Sequence, residues 1–192
     1  LVMGTHNINE FPDLLKRIEA GEKICANGEI PIAEGDLQPK RVKSVNAWIP
    51  ITEGCDNFCT YCIVPYTRGR ERSRDPQKII SEVKDAIKNG FKEVTLLGQN
   101  VDSYGKKGDY TDWNLARLLR EINKIEGQFR IRFTTSYPTD ITDELIQTVV
   151  DCDKVCEYFH IPMQSGSSEI LKKMNRRYDR ERYAQIVRNI RE

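Results

Sequence analysis

Trp48-Ile49-Pro50-Ile51-Thr52-Glu53-Gly54-Cys55-Asp56-Asn57-Phe58-Cys59-Thr60-Tyr61-Cys62 joins a short apolar run to three cysteines spaced C-x3-C-x2-C. The run Trp48-Ile49-Pro50-Ile51 reads as a strand, with the cysteine loop leaving its C-terminal end. No residue between the cysteines could serve as a fourth ligand. Three thiolates fill three corners of a 4Fe-4S cluster and leave one iron open, whereas an electron carrier closes its cluster with four cysteines and structural zinc needs four closed tetrahedral ligands. An open iron is a place to do chemistry.

Other readings of the thiols are weaker. No secretory signal or apolar targeting run stands ahead of the cysteines, which sets aside a disulfide with a spare thiol and makes the cytoplasm the expected location. A zinc site completed by a distant residue stays open: Cys152, Cys156 and His160 lie four apart and would share a face on one continuous helix. However, the residues from Val155 to Pro162 read as the entry to a strand, which would break that alignment. Cys25, Cys152 and Cys156 are therefore expected to be ordinary small buried residues.

Outward from the cysteine loop, the pattern alternates strand and helix. Asp75-Pro76 is a cap followed by proline at the first helical position, then Ile79, Ile80, Val83, Ala86 and Ile87 form an apolar face that Gly90 ends. Val94-Thr95-Leu96-Leu97 is a continuous apolar run of the kind a parallel sheet buries on both faces. A helix bearing Leu115, Leu118, Leu119, Ile122 and Ile125 follows, with Gly127 as its stop. Residues 130–135 are the third expected strand, Thr142 caps the next helix, and Tyr158-Phe159-His160-Ile161 is the fourth. Helices over 168–174 and 180–191 complete the pattern, the last with Tyr183, Ile186, Val187 and Ile190 on one face. Interleaved strands and helices imply parallel βαβ units, whose active sites lie at the C-terminal strand ends. The cysteine loop falls there. Four strands cannot close a barrel, so an open βα barrel is expected.

Ahead of this, Asn9 is the expected cap of a helix carrying Phe11, Leu14, Leu15 and Ile18, and Gly21 is its stop. Residues 22–45, with Gly28, Pro31, Gly35 and Pro39, read as a connection. A domain boundary is placed near residue 45. The 192 residues contain 39% apolar and 31% charged residues with a net charge of +1. That balance excludes a generally basic nucleic-acid binder, and no apolar run approaches membrane-spanning length. The chain starts at Leu1 and stops inside a helical pattern, so it is expected to be a piece of a larger protein.

Past the cysteines the sequence becomes more specific. Residues 54–74, Leu96-Leu97-Gly98-Gln99-Asn100-Val101, Arg132-Phe133-Thr134-Thr135-Ser136 and His160-Ile161-Pro162-Met163-Gln164-Ser165-Gly166-Ser167 fall in the order seen in the radical S-adenosylmethionine (SAM) methylthiotransferases, and the chain resembles their MiaB-type branch from about residue 45 onward. Tyr137 departs from that pattern, where His is more usual. The resemblance implies an α/β fold: a partial radical-SAM (β/α)6 open barrel, the first four βα units, over residues 46–192. Residues 1–45 would be the end of an α/β N-terminal methylthiotransferase domain with its linker.

It further implies a 4Fe-4S cluster on Cys55, Cys59 and Cys62, whose open iron binds SAM and releases an adenosyl radical. SAM contacts are expected from Tyr61, Gln99, Asn100, Ser136, Gln164, Ser165 and Arg176. A second 4Fe-4S cluster is expected in an N-terminal part outside this chain. The implied reaction places a methylthio group on carbon 2 of isopentenyladenosine beside the tRNA anticodon. Threonylcarbamoyl-adenosine or a ribosomal-protein aspartate are alternative substrates, and an iron–sulfur redox module is an alternative of another class. The expected partners are tRNA and an electron donor such as flavodoxin or ferredoxin, with the protein a monomer. Arg68, Arg70 and Arg74, alternating just past the cluster loop, are the expected RNA contacts, because arginine suits phosphates and stacked bases.

Overall fold

In this computed structural model, residues 1–28, 39–42 and 44–192 are described; Pro31 and Gly35 of the expected connection lie outside them. The chain divides into two compact units, Leu1–Lys40 and Arg41–Glu192. In the first, β1 (Val2–Met3) pairs in parallel with β2 (Cys25–Ala26), and α1 (Phe11–Glu19) lies between them in sequence. A 3-10 turn, Thr5–Glu10, precedes α1, so Asn9 is not its cap. Glu10 holds that position without a side-chain cap bond, and Pro12 sets the first turn. Cys25 is exposed rather than buried, because its two-residue strand leaves it little cover.

The second unit runs β3 (Asn46–Pro50), β4 (Thr52–Glu53), α2 (Val64–Thr67), β5 (Arg72–Ser73), α3 (Pro76–Lys88), β6 (Glu93–Leu97), α4 (Leu115–Asn123), β7 (Arg130–Phe133), α5 (Asp143–Asp151), α6 (Ser168–Lys173) and α7 (Arg180–Arg191). Its main sheet has the order β3-β6-β7 and is wholly parallel, with Ile49 opposite Leu96 and Leu96 opposite Phe133. The central strand β6 buries Val94, Thr95 and Leu96 in succession. In β3, by contrast, Ala47 and Ile49 are buried while Trp48 and Pro50 are exposed. The continuous apolar run thus marks the strand covered on both faces, and alternation marks its neighbour. Ile79 and Val83 of α3 and Leu118, Leu119 and Ile122 of α4 pack with Ile49, Leu96, Ile131 and Phe133 in one core. Each fully buried aliphatic side chain there contributes roughly 1.5–3 kcal/mol.

Helix starts are capped as the sequence indicates at Asp75, whose carboxylate accepts from Gln77 N at 2.7 Å, and at Thr142, which accepts from Leu145 N at 3.1 Å. Asn114 and Asp179 do the same for α4 and α7.

The fourth expected strand differs. Residues 154–160 run beside β7 as a fourth strand would, but make one parallel bridge, Ile131 with Val155, through Ile131 N to Lys154 O at 2.8 Å and Cys156 N to Ile131 O at 2.9 Å. Tyr158 N then turns back to Cys156 O at 2.7 Å. That local bond uses the N–H that a ladder would need, and the pairing stops. Contact resumes where Ser136 N donates to His160 O at 3.1 Å. Cys152 ends α5 as its C-cap, so Cys152, Cys156 and His160 do not share a helix face.

Candidate functional site

Every loop that leaves the C-terminal edge of the sheet contributes to one region. Ile51 N extends the β3–β6 ladder by a bond to Leu97 O at 2.8 Å, and β4 then pairs antiparallel with β5, so residues 54–71 form a loop closed at its base. Gly54 makes the turn into it at φ +71°. A Cβ there would lie 2.2 Å from the Arg70 carbonyl oxygen, so only glycine fits.

The three cysteines of this loop are free thiols, Cys55 buried and Cys59 and Cys62 half-buried. Asn57 Nδ2 lies 3.6 Å from Cys55 Sγ. Burial pushes the Cys55 thiol above its ordinary range. No three His, Cys, Asp or Glu side chains among the described residues are grouped tightly enough to hold a single metal ion. A lone zinc would need its sulfurs about 2.3 Å from one point, whereas a cubane spreads its thiolate ligands over separate irons.

Beside the loop is a cleft of about 610 Å³, a size that suits a nucleotide-scale ligand. Asp56, Phe58 and Arg70 line it from the loop between β4 and β5, Asn100, Lys106 and Lys107 from the loop after β6, Thr139 and Asp140 from the loop after β7, and Arg177 from the turn after α6. Its carboxylates are paired within and across loops. Asp56 meets Lys107 and, at 3.3 Å, Arg70, while Asp140 meets Lys106 at 2.5 Å and Asn100 Nδ2 at 2.6 Å. Partial burial opposes ionisation of Asp56, but Lys107, the Glu71 N–H and Arg70 together hold its carboxyl below the usual range.

At this end of the sheet and on the turn after α6, four buried polar atoms have no protein partner: Thr52 Oγ1, Gln99 Oε1, Asn100 Oδ1, which lines the cleft, and Arg176 Nε. Two are amide oxygens that accept, one is a hydroxyl that accepts or donates, and one is a cationic donor. Unpaired polar atoms cost free energy when buried; the oxygens suit an ammonium and the guanidinium suits a carboxylate. Gly98 keeps the ground around the acceptors open, since a Cβ there would sit 2.0 Å from Thr52 Oγ1.

Arg176 is enclosed by aromatic rings. Its Nη2 donates to Tyr61 O–H at 2.8 Å, and its Cζ lies 5.0 Å from the Tyr137 ring centre and 5.9 Å from those of Tyr61 and Tyr178. Burial opposes its charge, but Cys59, Tyr178 and Tyr61 hold its proton more firmly than usual. Tyr137 is buried, accepts from Arg177 N at 3.2 Å and meets Tyr178 edge-on. Its hydroxyl and its ring both help to fix the turn that bears Arg176.

Among the expected SAM contacts, Asn100 lines the cleft, Gln99 presents an unpaired oxygen, and Tyr61 and Arg176 are brought together. Ser136 is buried and its hydroxyl proton goes to Asp102 Oδ1 at 3.1 Å. Ser165 Oγ accepts from Ser167 N at 3.1 Å, and Gln164 is exposed at φ +68°. Of the expected RNA contacts, Arg68 is exposed. Arg70 is also exposed and stacks over Phe58 at 4.7 Å. Arg74 is turned inward, to Glu82 at 2.9 Å and Pro50 O at 2.5 Å, so its guanidinium ties β3 to α3 and is not available to RNA. Thr52, Tyr137, Lys106 and Lys107 are candidate site residues that no sequence motif assigned. Tyr137 alone carried a signal in the sequence, as the departure from the usual His.

A family model described as the Radical SAM superfamily matches residues 49–192. Over 197 aligned positions covering 100% of it, the chain is 53% identical to a Thermoanaerobacter pseudethanolicus protein named tRNA-2-methylthio-N(6)-dimethylallyladenosine synthase. A Clostridioides difficile protein of the same name is 52% identical over 97% of the chain. The chain spans 41% and 39% of the lengths of these relatives. Among solved structures, the radical SAM methyltransferase TsrM from Kitasatospora setae, with tryptophan and a SAM analogue bound, superposes with a TM-score of 0.69 at 16% identity, covering 99% of this chain and 43% of that one. The cobalamin-dependent radical enzyme OxsB gives a TM-score of 0.64 at 13% identity over 96% and 30%. Both share this partial α/β fold, and the family match over residues 49–192 shows that the chain belongs to the radical SAM superfamily.

Proposed function

We propose that this chain is the catalytic core of a tRNA methylthiotransferase that modifies carbon 2 of isopentenyladenosine next to the anticodon. The observation that carries the proposal is the loop with Cys55, Cys59 and Cys62, set at the C-terminal edge of a parallel sheet in a sequence 53% identical to a synthase of that name. The three thiols would hold a 4Fe-4S cluster with one iron open. When bound, that cluster would supply the electron that cleaves SAM.

The chain's own residues then have distinct tasks. Thr52, Gln99 and Asn100 offer unpaired acceptors for the SAM ammonium, and Arg176 offers a planar donor for its carboxylate. Tyr61, against Arg176, would pack near the adenine. Ser136 supports this edge through Asp102, while Gln164 and Ser165 lie on the loop that follows and could reach the ribose. Arg68 and Arg70 face solvent beside the cysteine loop, where RNA phosphates would arrive, and the Arg70–Phe58 stack is a ready platform for a base. Closing this mouth over substrate would exclude water from the radical chemistry. Residues 1–45 would be the end of an N-terminal domain carrying the second, sulfur-donating cluster. Flavodoxin or ferredoxin would supply electrons, and the enzyme would act as a monomer in the cytoplasm, where tRNA is found.

The test is anaerobic reconstitution of the full-length protein, incubation with SAM, reductant and tRNA carrying isopentenyladenosine, and mass spectrometry of the nucleosides. The 2-methylthio derivative is expected. Its absence, with 5′-deoxyadenosine still formed, would overturn the substrate; absence of both would overturn the chemistry.

A further inference from the structure

The stretch from Cys55 to Cys62 makes few backbone bonds within itself. Between its cysteines there is one backbone bond, Cys62 N to Cys59 O at 2.9 Å, and Phe58 sits at φ +47°, a conformation that side chains disfavour. The first half of the stretch is held locally, by Cys55 N to Gly69 O at 3.3 Å and by Arg70 against Asp56 and Phe58. Further hydrogen bonds come from more than a hundred residues away. Thr60 N donates to Met174 O and Thr60 Oγ1 to Lys173 O, each at 3.2 Å. Asn175 Nδ2 donates to Phe58 O at 2.9 Å and to Asn57 O at 3.4 Å.

The donor turn is itself a complete helix stop. Asn175 lies at φ +56°, its N–H bonds Lys172 O at 3.0 Å, and the Arg176 N–H bonds Leu171 O at 2.9 Å. These are the two bonds of a Schellman turn, in which glycine is the usual left-handed residue and asparagine the less common one. Glycine would end α6 without strain. What asparagine adds is an amide, and that amide is bonded to the cysteine loop. The next residue, Arg176, bonds Tyr61 in the same loop.

We propose that Asn175 is a positioning residue for the cluster-binding loop: the turn after α6 latches residues 57–61 and presets the three thiols before any cluster is bound. The inference rests on the proposed function for the identity of the loop. It says that two distant segments, one carrying the thiols and one carrying the carboxylate-binding Arg176, fold as one unit.

Asn175→Gly separates the two roles of this residue, because it keeps the helix stop and removes only the amide. In the full-length protein before iron loading, amide hydrogen exchange over residues 57–62 should speed up about tenfold or more in the Gly variant, while α6 exchanges as in the wild type. Asn175→Asp, which tolerates the same backbone but offers no donor, should behave like Gly. After reconstitution, both variants should show lower iron and sulfide content and a broadened electron paramagnetic resonance signal of the reduced cluster. Unchanged exchange over 57–62 in both variants would overturn the latch. Because exchange is read without iron, it decides the latch independently; failure of the wild type to take up iron would overturn the proposed function alone.

Discussion

The body of the sheet and the loops at its C-terminal edge are built to different standards. In the body, β6 buries an unbroken apolar run, α3 and α4 cover it with matched faces, and helix starts are capped by their own side chains. At the edge, among the described residues, lie all the non-glycine residues with positive φ: Phe58, Thr135, Gln164 and Asn175. The unpaired buried atoms of this unit, on Thr52, Gln99, Asn100 and Arg176, are there too. Strained backbone and unmet polar groups persist only where the surroundings over-determine them, and they concentrate where ligands bind. The sheet supplies the stability, and the loops use some of it to hold a site open.

Substitutions in the two regions should therefore fail differently. Leu96→Ala removes a fully buried side chain from the central strand and should lower the unfolding free energy by ~2–5 kcal/mol. Urea unfolding followed by the fluorescence of Trp48 and Trp113, the chain's two tryptophans, would measure it. Gly54→Ala instead forces a Cβ to 2.2 Å from backbone at a left-handed position. It should cost ~1–3 kcal/mol in the same assay, yet lower iron uptake on reconstitution far more than Leu96→Ala does at a denaturant concentration where both are folded. Equal losses of iron uptake would remove the distinction between body and edge.

A pH-dependent effect comes from Asp102, which sits where the regions meet. Ser136 Oγ and Tyr137 N both donate to it, at 3.1 Å, and burial pushes its carboxyl up from an ordinary 3.8 to about 7. Between those values the folded protein holds a proton that the unfolded chain has released. The stability this group contributes is thus full below about pH 4 and is lost as pH rises toward about 7, by up to ~1.4 kcal/mol per unit. Asp102→Asn should flatten the fall in unfolding free energy across that window. Matching slopes in the wild type and the variant would show that Asp102 carries no such proton.

The same division decides what the sequence revealed. Residues 94–97, the Asp75-Pro76 start of α3 and the cysteine spacing were legible because each is a local signal with one physical cause. The fourth strand departs from expectation because residues 158–161 have strand-like composition, while pairing depends on an N–H that Tyr158 gives to Cys156. Arg70 and Arg74 looked alike, since alternation along an extended chain does not say which one finds Glu82. Asn175 went unnoticed for the same reason: the value of its amide depends on a loop more than a hundred positions earlier.

The most direct test of the central claim is to replace each cysteine in the full-length protein and measure iron content and 5′-deoxyadenosine formation after anaerobic reconstitution. Cys55→Ala, Cys59→Ala and Cys62→Ala should each abolish SAM cleavage, while Cys152→Ala and Cys156→Ala should leave it within about twofold of the wild type, as expected for residues with only packing roles. A Cys152 or Cys156 variant that lost this cluster as completely as the Cys59 variant would contradict the claim that three thiols of one loop hold an open iron.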